Sequence, residues 1–228
     1  MLKLNILKPS VNSLPVRILV RAAKLAHEEV DAWGHTRSPE YLAKCPAHMT
    51  PLLETAELPK QALWESCAIM QYLCNKHGLT QFYPTDPAKR AMIDSAMFYL
   101  TGTLYPLISR ATYPALGFPA YPGEVGASDV SLADKAKAQK AAEAAVAEPL
   151  DVFRAFYIGN DKFIGGSSPS IADFRFAATL EFLAVIDYAL PAWAKTYVAN
   201  LESSLGKAYL EPVADVRGYV QHAKSQKK

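Results

Sequence analysis

Two hydroxyls stand close together near the start of the chain, Ser10 and Ser13, in the turn-forming run Pro9-Ser10-Val11-Asn12-Ser13. A serine directly ahead of a helix either caps it, by accepting from its first N–H groups, or is left available for chemistry in the turn. A second pair, Glu65-Ser66, stands where another helix begins. The free N–H groups and positive dipole end there favour an anion such as a carboxylate, although an acidic first turn with a capping serine has the same sequence. Between these pairs lie two loop histidines, His35 and His48, and the dipeptide Thr50-Pro51. A residue ahead of proline is held extended, so Thr50 can offer its backbone to a partner as one strand does to another.

Cys45, Cys67 and Cys74 are odd in number and form no C-x-x-C pair. That argues against a disulfide framework and against a zinc site, and no metal is expected. Lysine and arginine total 24 against 22 aspartates and glutamates, a net charge of +2, and no basic stripe carries interleaved aromatics. Nucleic acid is not an expected partner. The first residues form too short and interrupted an apolar run for a signal peptide, and no later stretch approaches the length that spans a bilayer. The expectation is a cytoplasmic protein with reduced cysteines and no membrane insertion.

The elements that must position these residues follow from periodicity. Leu2, Leu4 and Ile6 alternate with polar neighbours as in a strand, and from Pro15 the period becomes helical through Val16, Leu19, Val20 and Ala23. Glu29 to Trp33 reads as a second strand, Pro39 to Lys44 as a short helix, Leu52 to Glu54 as a third strand and Ala62 to Trp64 as a fourth. The helix from Glu65 to Lys76 stops at Gly78. After Phe82-Tyr83-Pro84-Thr85-Asp86-Pro87 no alternating run remains. Helices are predicted over Ala88 to Ala111, over Ser131 to Tyr157 with a break at Pro149, and from Ile171 to Leu183, the last opened by a capping box of Ser170 and Asp173. A Tyr-, Pro- and Gly-rich loop runs from Tyr113 to Gly126. This predicts an α/β domain over residues 1–80 followed by an all-α domain over 88–228.

Five stretches in order give the chain a resemblance to the cytosolic glutathione transferases, closest to the delta, epsilon and theta classes. Ser13-Leu14-Pro15-Val16-Arg17 looks like their S-x-P-x-R segment. Pro46 to Leu52 is similar to their N-P-x-H-x-[VI]-P-x-L loop, and Leu63 to Leu73 to their L-x-E-S-x-A-I-x-x-Y-L helix. Phe98 to Tyr105 resembles a delta-class fourth helix, and Phe163-Ile164-Gly165-Gly166 with Ser170 to Asp173 the family's buried capping box. The resemblance implies a thioredoxin-like first domain, glutathione as co-substrate, a homodimer, and a role in detoxification by attaching glutathione to hydrophobic electrophiles, with hydroperoxide reduction by the same thiolate.

It also implies residue roles. Ser13, with Ser10 as its rival, donates a hydrogen bond that stabilises the glutathione thiolate. Thr50, ahead of a cis bond to Pro51, pairs with the cysteinyl part, Ser66 binds the γ-glutamyl carboxylate, Glu65 its ammonium, and His48 and His35 contact the glycyl end. Tyr105, Tyr113 and Phe118, with Trp193 a weaker candidate, line the hydrophobic site. A glutathione transferase-like protein without catalysis, binding apolar ligands or serving in assembly, is the alternative. A thiol–disulfide oxidoreductase would need a cysteine ahead of the first helix, and residues 9 to 17 contain none.

Overall fold

A computed structural model describes residues 1–113 and 132–225. The first part is built as β1 (Leu2–Ile6), α1 (Leu14–Ala22), β2 (His27–Asp31), α2 (Pro39–Leu42), β3 (Leu52–Glu54), β4 (Ala62–Trp64) and α3 (Ser66–His77). Its four strands lie in the order β2-β1-β3-β4. β1 runs parallel to β2 and antiparallel to β3, which is antiparallel to β4. This is the thioredoxin-like arrangement. β2 begins two residues earlier than its alternation suggests, because Leu2 pairs with His27 and Ile6 with Asp31. An edge strand takes its register from its one neighbour, and its own side chains are at most half-buried.

From Pro87 onward only helices occur among the described residues: α4 (Pro87–Tyr99), α5 (Tyr105–Thr112), α6 (Leu132–Ala145), α7 (Ala147–Phe153), α8 (Ile171–Phe182), α9 (Ala192–Leu205) and α10 (Lys207–Ser225). The helix predicted over 88–111 is divided by a widened π turn at Leu100–Leu104. Pro106 explains it: the ring has no N–H to give the carbonyl four residues back, at Gly102, and crowds that turn. Pro149 acts in the same way, and α6 ends at Ala145, four residues before it. Another π turn, at Arg154–Ile158, follows α7. One apolar core joins both parts, running from Leu4, Ile18 and Leu73 through Ile93 and Leu104 to Phe174, Leu201 and Val216.

Two polar clusters fix the helices. The Asp173 carboxylate, fully buried, accepts from the backbone N–H of Ile164 at 2.8 Å, Gly165 at 3.3 Å and Ser170 at 2.7 Å, from the Ser170 hydroxyl at 2.7 Å, and from the Tyr197 hydroxyl. The expected capping box is present, with the serine hydroxyl donating to the aspartate. In the other cluster Arg17, buried on α1, donates to Glu29 on β2 through Nε and Nη2, both at 3.1 Å, to the Lys8 carbonyl at 3.0 Å and to Asp215 on α10 at 2.8 Å. Burial alone would raise the Glu29 carboxyl, but hydrogen bonds and charge from Arg21 and Arg17 outweigh it and hold the group down to about 2.

Candidate functional site

The strand directions decide where the polar residues meet. Ile6 faces Asp31, Asn5 faces Leu52 and Leu52 faces Trp64, so the ends of β1, β2 and β4 and the start of β3 share one edge of the sheet. The chain leaves that edge through Leu7 to Ser13, through Ala32 to Ser38 and at Glu65, and arrives there through Thr50-Pro51. Ser10, Ser13, His35, Thr50, Pro51 and Glu65 lie on these segments, His48 two residues before Thr50 and Ser66 directly after Glu65. The N-termini of α1 and α3 lie there too.

In the first of these segments Ser10 makes the turn. Its N–H donates to the Leu7 carbonyl at 2.9 Å, its carbonyl accepts from Ser13 and Leu14, and its hydroxyl oxygen accepts from the N–H of Asn12 at 3.2 Å and Ser13 at 3.3 Å. Ser13 occupies the N-cap position of α1 in helical conformation, yet its side chain caps nothing. It is 0 % exposed. Its hydroxyl has no hydrogen-bond partner among the described residues. Such an atom costs about 1 to 3 kcal/mol of lost hydration, so local structure gives no reason for a serine here. Because the residue is fully covered, its hydroxyl reaches a ligand only when the covering side chains part.

The Thr50-Pro51 bond is cis. The segment before it is pinned by the Tyr41 hydroxyl and the Cys45 thiol, which donate to the Met49 carbonyl at 2.5 and 3.7 Å. Neither the N–H nor the carbonyl of Thr50 makes a hydrogen bond among the described residues. Its backbone is free to pair. Glu65 is held at φ 75°, ψ 112°, in left-handed territory that a side-chain-bearing residue rarely enters, and its carboxylate caps nothing. Ser66, the first residue of α3, is buried, and the N–H groups of that first turn have no partner within the helix. His35 and His48 are exposed at the periphery.

Between the loop after β1 and the helices lies a cavity of about 210 Å³. Its sheet-side wall is Leu7, Pro9, Ser10, Val11 and Trp33, and its helical wall is Tyr113, Phe182 and Tyr219. Trp33 meets Tyr219 edge-on at 6.3 Å. Tyr113, one of the aromatics expected at the hydrophobic site, is among the residues that line this cavity. Tyr105 stands one layer behind, its hydroxyl 2.6 Å from that of Tyr113, and Trp193 packs in the core against Phe176 at 6.2 Å. Phe118, with most of the loop predicted over Tyr113 to Gly126, lies outside the described residues. Trp33, Phe182 and Tyr219 escape sequence reasoning, because each reads as an ordinary packing aromatic until the chain is folded.

The sequence profile described as "Glutathione S-transferase, N-terminal domain" matches residues 8–81, and that described as "Glutathione S-transferase, C-terminal domain" matches 136–203. The chain belongs to the glutathione transferase family. Among solved structures it is similar to Bombyx mori glutathione transferase BmGSTD1, at 26% identity over 98% of this chain and 96% of that one, with a TM-score of 0.74. It is also similar to glutathione transferase E6 from Drosophila melanogaster, at 25% identity over 99% and 97% of the two chains and a TM-score of 0.77. Human glutathione S-transferase T1-1 shares the fold at 21% identity, with a TM-score of 0.80 over 97% and 91%.

One group within this glutathione transferase escaped sequence reasoning altogether. Arg175 of α8, 2 % exposed, reaches the loop that carries Ser13. Its Nη2 donates to Asn12 Oδ1 at 3.0 Å and its Nη1 to the Val11 carbonyl at 3.5 Å, while Asn12 Nδ2 donates to the Tyr105 hydroxyl at 2.7 Å. The guanidinium lies 4.7 Å from the centre of the Tyr105 ring. An arginine inside an otherwise apolar run was the available signal. No helix among the described residues is long and apolar enough to cross a membrane, and no cluster of three or more His, Cys, Asp or Glu side chains among them could hold a metal ion.

Proposed function

We propose that this protein attaches the thiolate of glutathione to small hydrophobic electrophiles and reduces organic hydroperoxides with the same thiolate, as a cytoplasmic detoxification enzyme. The observation that carries the reading is the Ser13 hydroxyl, buried without a partner on the loop that forms one wall of the interdomain cavity. A hydrogen bond to sulfur relieves that hydroxyl and stabilises the charged form of a thiol whose ordinary pKa, about 8.5, leaves it mostly protonated at neutral pH. Ser66 and the open first turn of α3 take the γ-glutamyl carboxylate, Glu65 takes the ammonium, and the unpaired backbone of Thr50 ahead of Pro51 takes the cysteinyl peptide. His48 and His35 contact the glycyl end. Tyr113 borders the electrophile pocket, with Tyr105 behind it and Phe118 in the segment that follows.

Turnover of a generic aryl halide with glutathione, measured above the uncatalysed rate, tests this. Binding of glutathione with no such turnover, for aryl halides and hydroperoxides alike, would establish the non-catalytic alternative. A second assignment of the sulfur's donor rests on its own observation. Ser10 lines the cavity, and because its oxygen already accepts two N–H groups, its proton is free to donate.

We further propose a homodimer formed through α3 and α4. Gln71 of α3 donates to Asp94 of α4 at 2.7 Å, joining the two helices, and Phe98, one turn beyond Asp94 on the same side of α4, is 73 % exposed. Sedimentation at micromolar concentration is expected to show a dimer that Phe98→Glu converts to monomer. A wild-type monomer would end the proposal.

A further inference from the structure

Among the described residues Arg175 is a buried cation without a counter-ion: no Asp or Glu forms an ion pair with it, and its Nε has no hydrogen-bond partner. Moving a guanidinium out of water costs several kcal/mol unless an opposite charge or a full set of acceptors replaces the lost hydration. Here two neutral oxygens, the Cys67 thiol and the face of the Tyr105 ring do only part of that.

The groups around Arg175 locate the missing charge. Val11 and Asn12 immediately precede Ser13. On another side lies Cys67 of α3, the residue after Ser66. Burial pushes its thiol up, and the Arg175 charge is the first influence pulling it back, against the carboxylate of Glu65. From α5 the facing group is the Tyr105 hydroxyphenyl. Of the other charged side chains of this region, Arg17 is engaged with Glu29 and Asp215 and Asp94 with Gln71 and Tyr83, while Glu65 caps nothing and is assigned above to the ligand's ammonium. Arg175 thus stands behind the sulfur and the γ-glutamyl end of the proposed glutathione site, with no carboxylate of the described residues paired to it.

We infer that Arg175 is a positioning residue whose fixed charge favours the thiolate of bound glutathione while its two Nη groups hold the Val11–Asn12 backbone ahead of Ser13. This rests on the transferase reading. Inside a protein an opposite charge nearby lowers a group's pKa by about 1 to 3 units, which is enough to change the thiolate fraction at neutral pH severalfold or more.

Asn12→Asp separates charge from structure. It is isosteric, keeps the contact at 3.0 Å and exchanges the amide that donates to Tyr105 for an oxygen to which the Tyr105 hydroxyl can donate instead, and it gives Arg175 a counter-ion. The measurement is the ultraviolet thiolate absorbance of bound glutathione titrated against pH, with S-methylglutathione affinity measured beside it because that ligand has no thiol to ionise. In Asn12→Asp the bound thiol is expected to titrate about one pH unit higher than in wild type, roughly a tenfold loss of thiolate at neutral pH. S-methylglutathione should bind within about threefold of wild type. Arg175→Met should behave alike, and Arg175→Lys, which keeps the charge and loses the fork, should recover most of the wild-type titration. If Arg175→Met does not fold, Asn12→Asp alone decides. An unchanged titration in Asn12→Asp, or losses of thiolate and of S-methylglutathione affinity in equal measure, overturns the inference and leaves Arg175 a strut. A wild-type protein that binds neither ligand overturns the transferase reading beneath it, and this inference with it.

Discussion

Replacing Ser13 with alanine is expected to raise the pKa of glutathione's thiol in the complex by roughly one to two units, with a ten- to hundredfold rate loss at neutral pH. The size follows from a hydrogen bond to a charged group, about 1.5 to 3 kcal/mol, and from about 1.4 kcal/mol per pKa unit. Because the bond acts on the thiolate and hardly on the thiol, the deficit should shrink as pH rises, and the dissociation constant of glutathione should change little. The structure adds a second half to the expectation. Since the Ser13 hydroxyl is buried with no partner, the alanine variant without ligand should be as stable as wild type or more so. A variant that loses rate and gains stability carries the signature of a group kept for function. The titration is to be run with Ser10→Ala alongside. A shift in Ser10→Ala alone transfers the role to Ser10, and no shift in either removes serine from the mechanism.

The second large effect concerns Asp173. Five donors converge on its carboxylate: three backbone N–H groups and the hydroxyls of Ser170 and Tyr197. Asp173→Ala strands all of them in the core. A buried donor left unsatisfied costs about 1 to 3 kcal/mol, so stranding even two of them removes a large part of the roughly 5 to 15 kcal/mol that holds a domain folded. Urea denaturation should show the midpoint falling accordingly. Asp173→Asn, which keeps the shape and some acceptor capacity, should fall less. A loss under about 1 kcal/mol in the alanine variant would mean that Ile164, Gly165 and Ser170 find other acceptors at little cost.

Much of the fold is written in short-range pattern. The alternation of Leu2, Leu4 and Ile6, the helical recurrence from Val16 to Ala23 and the stop at Gly78, which adopts φ 61° as a left-handed cap, are decided by neighbours in sequence. So is the break before Pro149. What pattern could not supply depends on partners far along the chain. β2 takes its register from β1, so its limits were missed by two residues. Pro106 announces a disturbance, but not that the turn before it widens and keeps the helix going. In the site, the pairs Ser10–Ser13 and Glu65–Ser66 are legible because each sits where one element gives way to the next. Arg175 is not, because its partners lie 163 and 164 residues away. Nor are Phe182 and Tyr219, which become cavity walls only once α8 and α10 stand against the loop after β1.

Arg17 bears on how this polypeptide could be divided. Its side chain binds the carbonyl of Lys8 just after the first strand, Glu29 on the edge strand, and, from the far end of the chain, the Pro212 carbonyl at 3.4 Å and Asp215. The same α1 is packed against α8 and α10. A fragment ending before α4 would keep every strand and the Ser10–Ser13 turn, yet it would bare the faces of α1 that α8 and α10 cover and take away half of the guanidinium's partners. The sheet that carries the proposed glutathione residues is therefore not a portable cassette. Shuffling it onto a different set of helices would require the newcomer to bring both an apolar face for α1 and acceptors for Arg17, which ties the inheritance of the two halves together.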